Sequence, residues 1–190
     1  MQSADNNTWE QKDKLEQALL VGIHGAPELK YDERLLYLGE FKERVIKRLI
    51  NKQVEEKAIY PEVLQALKDP KADMLIINGN INSSFMTKYK DLAAHLNKTC
   101  TVRNDTEFQG DTGLLVISDQ AVAEQNMNVE NRSNRLKRLG VSTALIEAAG
   151  QKVCKACLVK ITEADENELM NYQQLTWIDR LAGDRCPVHK

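Results

Sequence analysis

The pattern of apolar and polar positions divides the chain into segments of different period. After a polar start over residues 1–9, Lys12 to about Val21 predicts a short helix with Leu15, Leu19 and Leu20 on one side, and Gly22, Gly25 and Pro27 end it. Asp32 is a start signal for a turn or helix. From Leu38 onward, Leu38, Phe41, Val45, Leu49 and Ile50 follow helical spacing, with Glu40–Arg44 and Glu43–Lys47 as supporting i,i+4 pairs. Pro61–Leu67 predicts another short helix, which Asp69-Pro70 ends. The period then changes. DMLIING, Asp73–Gly79, is a continuous apolar run closed by Asn-Gly, the length of a strand buried on both faces. Asn82 or Ser83 can cap the following helix, SSFMTKYKDLAAHLNK, whose stripe is Phe85, Met86, Tyr89, Leu92, Ala93 and Leu96. Thr99–Val102 and Leu114–Ser118 predict two more strands, with a turn at Asn104-Asp105. A β-α-β-turn-β order implies a parallel or mixed sheet with helices packed on it.

Beyond Asp119-Gln120 the pattern loosens. Val122–Gly140 is polar with few apolar anchors and reads as a linker or an exposed helix. Thr143–Ala149 predicts a brief helix. Ala164–Leu181 predicts a longer one, with Leu169, Tyr172, Leu175 or Thr176, and Ile178–Asp179 near helical spacing and Gly183 ending it.

Composition adds bounds. A hydrophobic fraction of 42% and a charged fraction of 28% are globular values. A net charge of −2 gives no global field favouring nucleic acid or an anionic membrane, so such a partner needs a local basic patch. No apolar run approaches the roughly 20 residues that span a bilayer, and the opening residues lack the apolar core of a signal peptide. The expectation is a cytoplasmic protein without a membrane partner. In that compartment disulfides are rare, and clustered cysteines point to metal or redox chemistry.

Three of the four cysteines and one of the three histidines fall in two pairs, Cys154-Lys-Ala-Cys157 and Cys186-Pro-Val-His189. Two ligands separated by two residues can grip one ion from a tight turn, and two such turns complete a tetrahedron. Cys154, Cys157, Cys186 and His189 are therefore the expected ligands of one structural zinc ion, with no open position for catalysis. Lys152 and Lys155 would favour the thiolate form. Cys100 lies in a predicted core strand and is not needed. The competing readings are a redox pair at Cys154 and Cys157, which leaves Cys186 and His189 unexplained, and unrelated free thiols.

Other candidates are weaker. Arg132, Arg135, Lys137 and Arg138 can contact phosphates, against a plain reading as a solvated linker diluted by Glu130 and Glu147 and without interleaved aromatics. Asn78, Gly79, Asn82 and Ser83 sit where a strand meets a helix, the place at which α/β sheets bind ligands. The lysine and glycine spacing of a phosphate loop is missing there, and a capped turn explains the same residues. Asp32, Glu33, Glu40 and Glu43 alternate with arginines as an ion-paired face does. His24 and His95 stand alone, and no catalytic set is assigned.

GIHGAPELKYDERLLYLGEFKERV (Gly22–Val45), LIINGNI (Leu75–Ile81) and TEFQGDTGLLVISDQAV (Thr106–Val122) resemble the YueI-like family, small cytosolic proteins of low-GC Gram-positive bacteria with no assigned function. The resemblance spans about residues 20–132. It implies a mixed-sheet α/β sandwich whose core is similar to chorismate mutase and to kink-turn-binding ribosomal proteins, and it carries over no activity or catalytic residue. The expected organisation is a YueI-like α/β domain over 12–130, a linker or helix over 131–149, and a small zinc-stabilised helical module over 150–190. The expected role is a non-enzymatic binding protein whose module contacts RNA or a protein partner. The alternatives are a small-molecule enzyme or sensor using the cleft near Asn78–Ser83, and a thiol redox switch at Cys154/Cys157.

Overall fold

Two apolar runs with no polar face must be covered on both sides, and they lie at the centre of a four-stranded sheet. In this computed structural model, which describes residues 30–122 and 126–189, the strands are β1 (Val45–Ile50), β2 (Ala72–Asn78), β3 (Thr99–Arg103) and β4 (Thr112–Ser118), ordered β1-β4-β2-β3. The segments expected at residues 1–9, Lys12–Val21 and Gly22–Pro27, together with His24, lie outside the described residues. β4 runs antiparallel to β1 and β2, and β2 runs parallel to β3, so the sheet is mixed. Every residue of β4 is buried. Alternate side chains go to opposite faces. Leu75, Ile77, Leu114 and Val116 pack under the helices, whereas Ile76, Leu115 and Ile117 meet Leu38 and Val45 on the other side.

Helices close the first face. After a short α1 (Tyr31–Leu36) and α2 (Asn51–Val54), α3 (Pro61–Lys68) places proline at its first turn and sends in Val63, Ala66 and Leu67. The crossover from β2 to β3 is α4 (Ser83–His95), which buries Met86, Tyr89 and Ala93. Its start is fixed by Asn82, whose side-chain oxygen accepts from the Ser84 N–H at 3.0 Å.

One expectation is corrected here. The run from Leu38 is not a helix: Lys42–Arg44 form a single 3-10 turn and Val45–Ile50 a strand. The register slips between Val45 and Lys47, so Val45 faces one core while Ile46 and Leu49 face the other. That irregularity breaks the two-residue alternation and leaves a spacing that imitates a helix. The Glu40–Arg44 pair forms regardless, at 3.2 Å, with Arg103 closing on the other oxygen at 2.7 Å. Glu43 instead pairs with Lys30 at 2.8 Å.

Residues 131–189 build a second core. α5 (Arg132–Arg138), α6 (Thr143–Glu147), β5 (Lys152–Val153), α7 (Lys155–Ala164), β6 (Gln173–Gln174) and α8 (Trp177–Leu181) surround Leu136, Leu145, Ile146, Val153, Cys157 and Ile161. The single helix expected over Ala164–Leu181 is replaced by a 3-10 turn at Glu166–Asn171, then β6, then α8. Asp165 is extended, at φ −161°, and its carboxylate accepts from the Asn167 N–H, so it ends α7 and caps the turn that follows.

A polar network joins this core to the sheet. Glu168, with no solvent exposure, accepts from Arg132 Nε at 2.8 Å, from Arg135 Nη2 at 2.6 Å and from Asn171 Nδ2 at 3.0 Å. The remaining Arg132 donors reach Tyr172 Oη at 3.0 Å and the Ile146 carbonyl at 3.2 Å. Asn171 then exchanges two hydrogen bonds with the backbone of Ile59, at 2.7 and 2.8 Å. Removing Arg132 takes one of two cations from a carboxylate with no solvent exposure and leaves the Tyr172 and Ile146 acceptors without their donors. Arg132→Met is therefore expected to lower the unfolding free energy by about 3–5 kcal/mol, and Arg132→Met/Glu168→Leu to recover part of that, in urea denaturation. A second constraint sits at Gly113, where an added Cβ would stand 2.8 Å from the Asn51 Cα. Because backbone must move to admit it, Gly113→Ala is expected to cost about 1–3 kcal/mol by the same measurement.

Candidate metal centre

Each half of the centre is a turn that the local sequence makes. β5 and β6 pair in parallel, and the Leu175 N–H donates to the Val153 carbonyl at 2.8 Å, which fixes the chain just before Cys154. Cys154 is the N-cap of α7. Its carbonyl accepts from the N–H groups of Cys157 at 3.0 Å and Leu158 at 3.1 Å, so both cysteines of the pair flank the first helical turn. The other half is delivered by the end of α8. Gly183 takes φ +96°, its N–H donates to the Arg180 carbonyl at 3.1 Å, and the Asp184 N–H donates to the Asp179 carbonyl at 2.9 Å. This closure reverses the chain at a position where a Cβ would be strained. Cys186-Pro-Val-His189 then folds as a turn, with the His189 N–H donating to the Cys186 carbonyl at 3.2 Å.

The four side chains converge. One potential ligand atom from each of Cys154, Cys157, Cys186 and His189 lies within 4.8 Å of all the others, and the group could hold a metal ion. Cys157 Sγ is 3.8 Å from Cys186 Sγ, and His189 Nδ1 is 3.4 Å from Cys154 Sγ and 3.6 Å from Cys157 Sγ. All the cysteines are free thiols. Cys157 and Cys186 are buried, Cys154 is half-buried and His189 is exposed. Burial pushes the Cys157 thiol up to about 12, and the adjacent Cys154 and Cys186 sulfurs add to the effect. Burial would raise Cys186 as well. The backbone N–H groups of Cys154, Val188 and His189 and the His189 ring outweigh it, however, and bring Cys186 down to about 6. Of the two lysines expected to assist, Lys152 is engaged elsewhere, its Nζ donating to Asp179 Oδ1 at 2.5 Å, and Lys155 is exposed. Cys100 lies apart on β3, raised by burial.

The other candidates have internal partners. Asn78 Nδ2 donates to the Thr112 carbonyl at 2.9 Å and its Oδ1 accepts from the Asn80 N–H at 3.0 Å. Gly79 lies against Asn104, Asn82 caps α4, and the Ser83 carbonyl accepts from Thr87 Oγ1. The four basic residues do not form one exposed patch. Arg132 and Arg135 face the buried carboxylates, Arg138 pairs with Glu130 at 2.8 Å, and Lys137 is exposed. His95 Nδ1 lies 2.6 Å from the Asp91 carbonyl. No helix among the described residues is long and apolar enough to cross a membrane. What the sequence reading missed is on α8: Trp177, Ile178 and Leu181 are all exposed, although Ile178 is among the residues near helical spacing. Their signal was present as three large apolar residues crowded into five positions between a capping threonine and a glycine.

A family described as a protein of unknown function (DUF1694) matches residues 12–128. The chain is 29% identical over 120 residues to the uncharacterized protein YueI of Bacillus subtilis (strain 168), an alignment that covers 63% of this chain and 91% of that protein. The crystal structure of the YueI protein from Bacillus subtilis superimposes with a TM-score of 0.52 at 29% identity, covering 64% of this chain and 94% of that one. The family match ends before the first residue of the metal cluster.

The contrast between the two buried thiols is measurable. A thiol whose value is lowered is ionised above the lowered value and protonated below it. Titrating the metal-free protein by its thiolate ultraviolet absorbance is expected to show one step near pH 6 that Cys186→Ser abolishes and Cys157→Ser leaves in place. A single step at the ordinary thiol position would contradict the assignment.

Proposed function

The chain belongs to the YueI-like family (DUF1694), and from that premise we propose that it is a non-enzymatic binding protein whose C-terminal lobe folds around one structural zinc ion. The observation that supports the metal is the length of three of the six edges between the ligand atoms. Zinc–sulfur bonds of about 2.3 Å and zinc–nitrogen bonds of about 2.0 Å at tetrahedral angles require sulfur–sulfur edges of about 3.8 Å and sulfur–nitrogen edges of about 3.5 Å. The corresponding distances are 3.8 Å between Cys157 and Cys186, and 3.4 and 3.6 Å from the His189 nitrogen to Cys154 and Cys157. Three thiolates and an imidazole suit zinc, and a filled coordination sphere suits a structural role over a catalytic one.

The binding role rests on what the side chains have left over. Arg132 and Arg135 are neutralised by Glu168 and Asp165, which removes half of the basic run from any phosphate contact and favours a protein partner over RNA. The cleft residues Asn78 and Asn82 are taken up by the Thr112 carbonyl, their own turn and the helix cap, so nothing favours a small-molecule enzyme there.

Metal analysis of the purified chain, coupled to thermal unfolding with and without a strong chelator, tests this reading. A single zinc ion per chain is expected. Cys157→Ser and His189→Ala should lose it, Cys100→Ser should keep it, and chelation should lower the melting temperature of the C-terminal lobe while the sheet stays folded. A metal-free protein whose melt does not respond to chelator overturns the proposal.

A further inference from the structure

Helix α8 presents its apolar face outward. Trp177, Ile178 and Leu181 are 71%, 61% and 78% exposed. Five residues are too few to hold a helix by themselves, and here polar contacts on one side fix it. Asp179 Oδ2 accepts from Thr176 N–H at 2.8 Å and from Thr176 Oγ1 at 2.6 Å, Thr176 Oγ1 accepts in return from the Asp179 N–H at 3.3 Å, and Lys152 Nζ donates to Asp179 Oδ1 at 2.5 Å. At about 100° per residue, Arg180, Trp177, Leu181 and Ile178 follow one another around roughly 160° of the circumference, with Asp179 opposite. The large side chains therefore do little to hold the helix, and they form a contiguous apolar patch of the kind that marks an interaction site.

The charge beside this patch is positive on balance. Asp179 is neutralised by Lys152, and Asp184 is one exposed carboxylate beside two arginines. Arg180 and Arg185 are exposed, make no ion pair among the described residues, and line one hollow with Leu175, Asp184, Cys186 and His189. We infer that Trp177, Ile178 and Leu181, flanked by Arg180 and Arg185, dock an acidic segment of a partner protein that also carries apolar side chains. The inference rests on the reading of the chain as a binding protein and adds the surface and the chemistry of its partner. Tryptophan and arginine are the residue types that dominate the energy of protein interfaces. Unpaired arginines select carboxylates, and two of them at the rim of an apolar patch disfavour a basic partner. A second copy of this chain fits poorly, because two-fold pairing of the patch would bring like guanidinium groups together. Single-stranded RNA fits poorly too: bases stack on aromatic faces, and two of the three apolar side chains are aliphatic.

The test is selection of a random twelve-residue peptide library against the full-length, metal-replete chain, followed by binding titrations. Selected peptides are expected to be rich in Asp and Glu together with Leu, Ile or Phe. Trp177→Ala/Leu181→Ala and, separately, Arg180→Glu/Arg185→Glu should each weaken them about tenfold or more. Zinc content, circular dichroism and melting temperature of these surface variants should match the parent. Failure to select any peptide that depends on Trp177 and Leu181 overturns the inference, as does selection without acidic enrichment. Self-association in sedimentation that Leu181→Asp abolishes also overturns it, and so does binding of single-stranded RNA that Trp177→Ala abolishes. Zinc content measured on the same preparations separates the two claims. Zinc present without such peptides removes this inference alone, whereas a metal-free parent removes the structural-zinc reading.

Discussion

The organisation of the C-terminal lobe depends on bringing four ligand atoms from two turns to within 4.8 Å of one another. The elements around that point are small: two-residue strands, a ten-residue helix and a five-residue helix. Strands and helices of that size are not stable alone, and a small unit needs a cross-link to complete what its core cannot supply. Cys157 and Cys186 belong to the lobe's hydrophobic core as well as to the ligand cluster. A metal there would tie the first turn of α7 to the turn after α8 and draw the core shut between them. Metal affinity and folding free energy are then one quantity.

The lobe is also anchored from the other side. Glu168 is enclosed by Arg132, Arg135 and Asn171, and Asn171 carries the connection to the backbone of Ile59 in the α/β sheet domain. Tyr60 extends the joint: its hydroxyl accepts from the Arg132 N–H at 3.2 Å and donates to Glu56 at 2.7 Å. A fully buried ion pair contributes little net stability, but it tolerates only one arrangement of its partners. It fixes how the part of the chain beyond the family match sits on the part within it. α8 lies in sequence between this joint and Cys186, and its outer face is exposed.

The parts legible in sequence were those in which one local signal dominates. The doubly buried runs of β2 and β4, the asparagine cap of α4 and the paired Cys-x-x-Cys and Cys-x-x-His turns all announce themselves over a few residues. β1 was hidden because its register slip at Val45–Lys47 breaks the alternation by which strands are recognised. α5 read as a linker or an exposed helix, not as a buried one, because half of its buried anchor is an arginine, and the partner thirty-six residues away makes that burial possible. The break after α7 depends on the backbone state of Asp165, which no hydrophobic period reports. The convergence of the two metal turns was readable from ligand spacing alone. Their separate roles as an exposed histidine and two buried thiols of opposite acidity were not, since these follow from packing.

X-ray absorption at the zinc edge of the full-length protein tests the centre most directly. The account predicts a first shell of three sulfurs at about 2.3 Å and one imidazole nitrogen at about 2.0 Å, without a water ligand. A first shell of oxygen and nitrogen alone, or a protein with no zinc edge after purification in the presence of the metal, would contradict it.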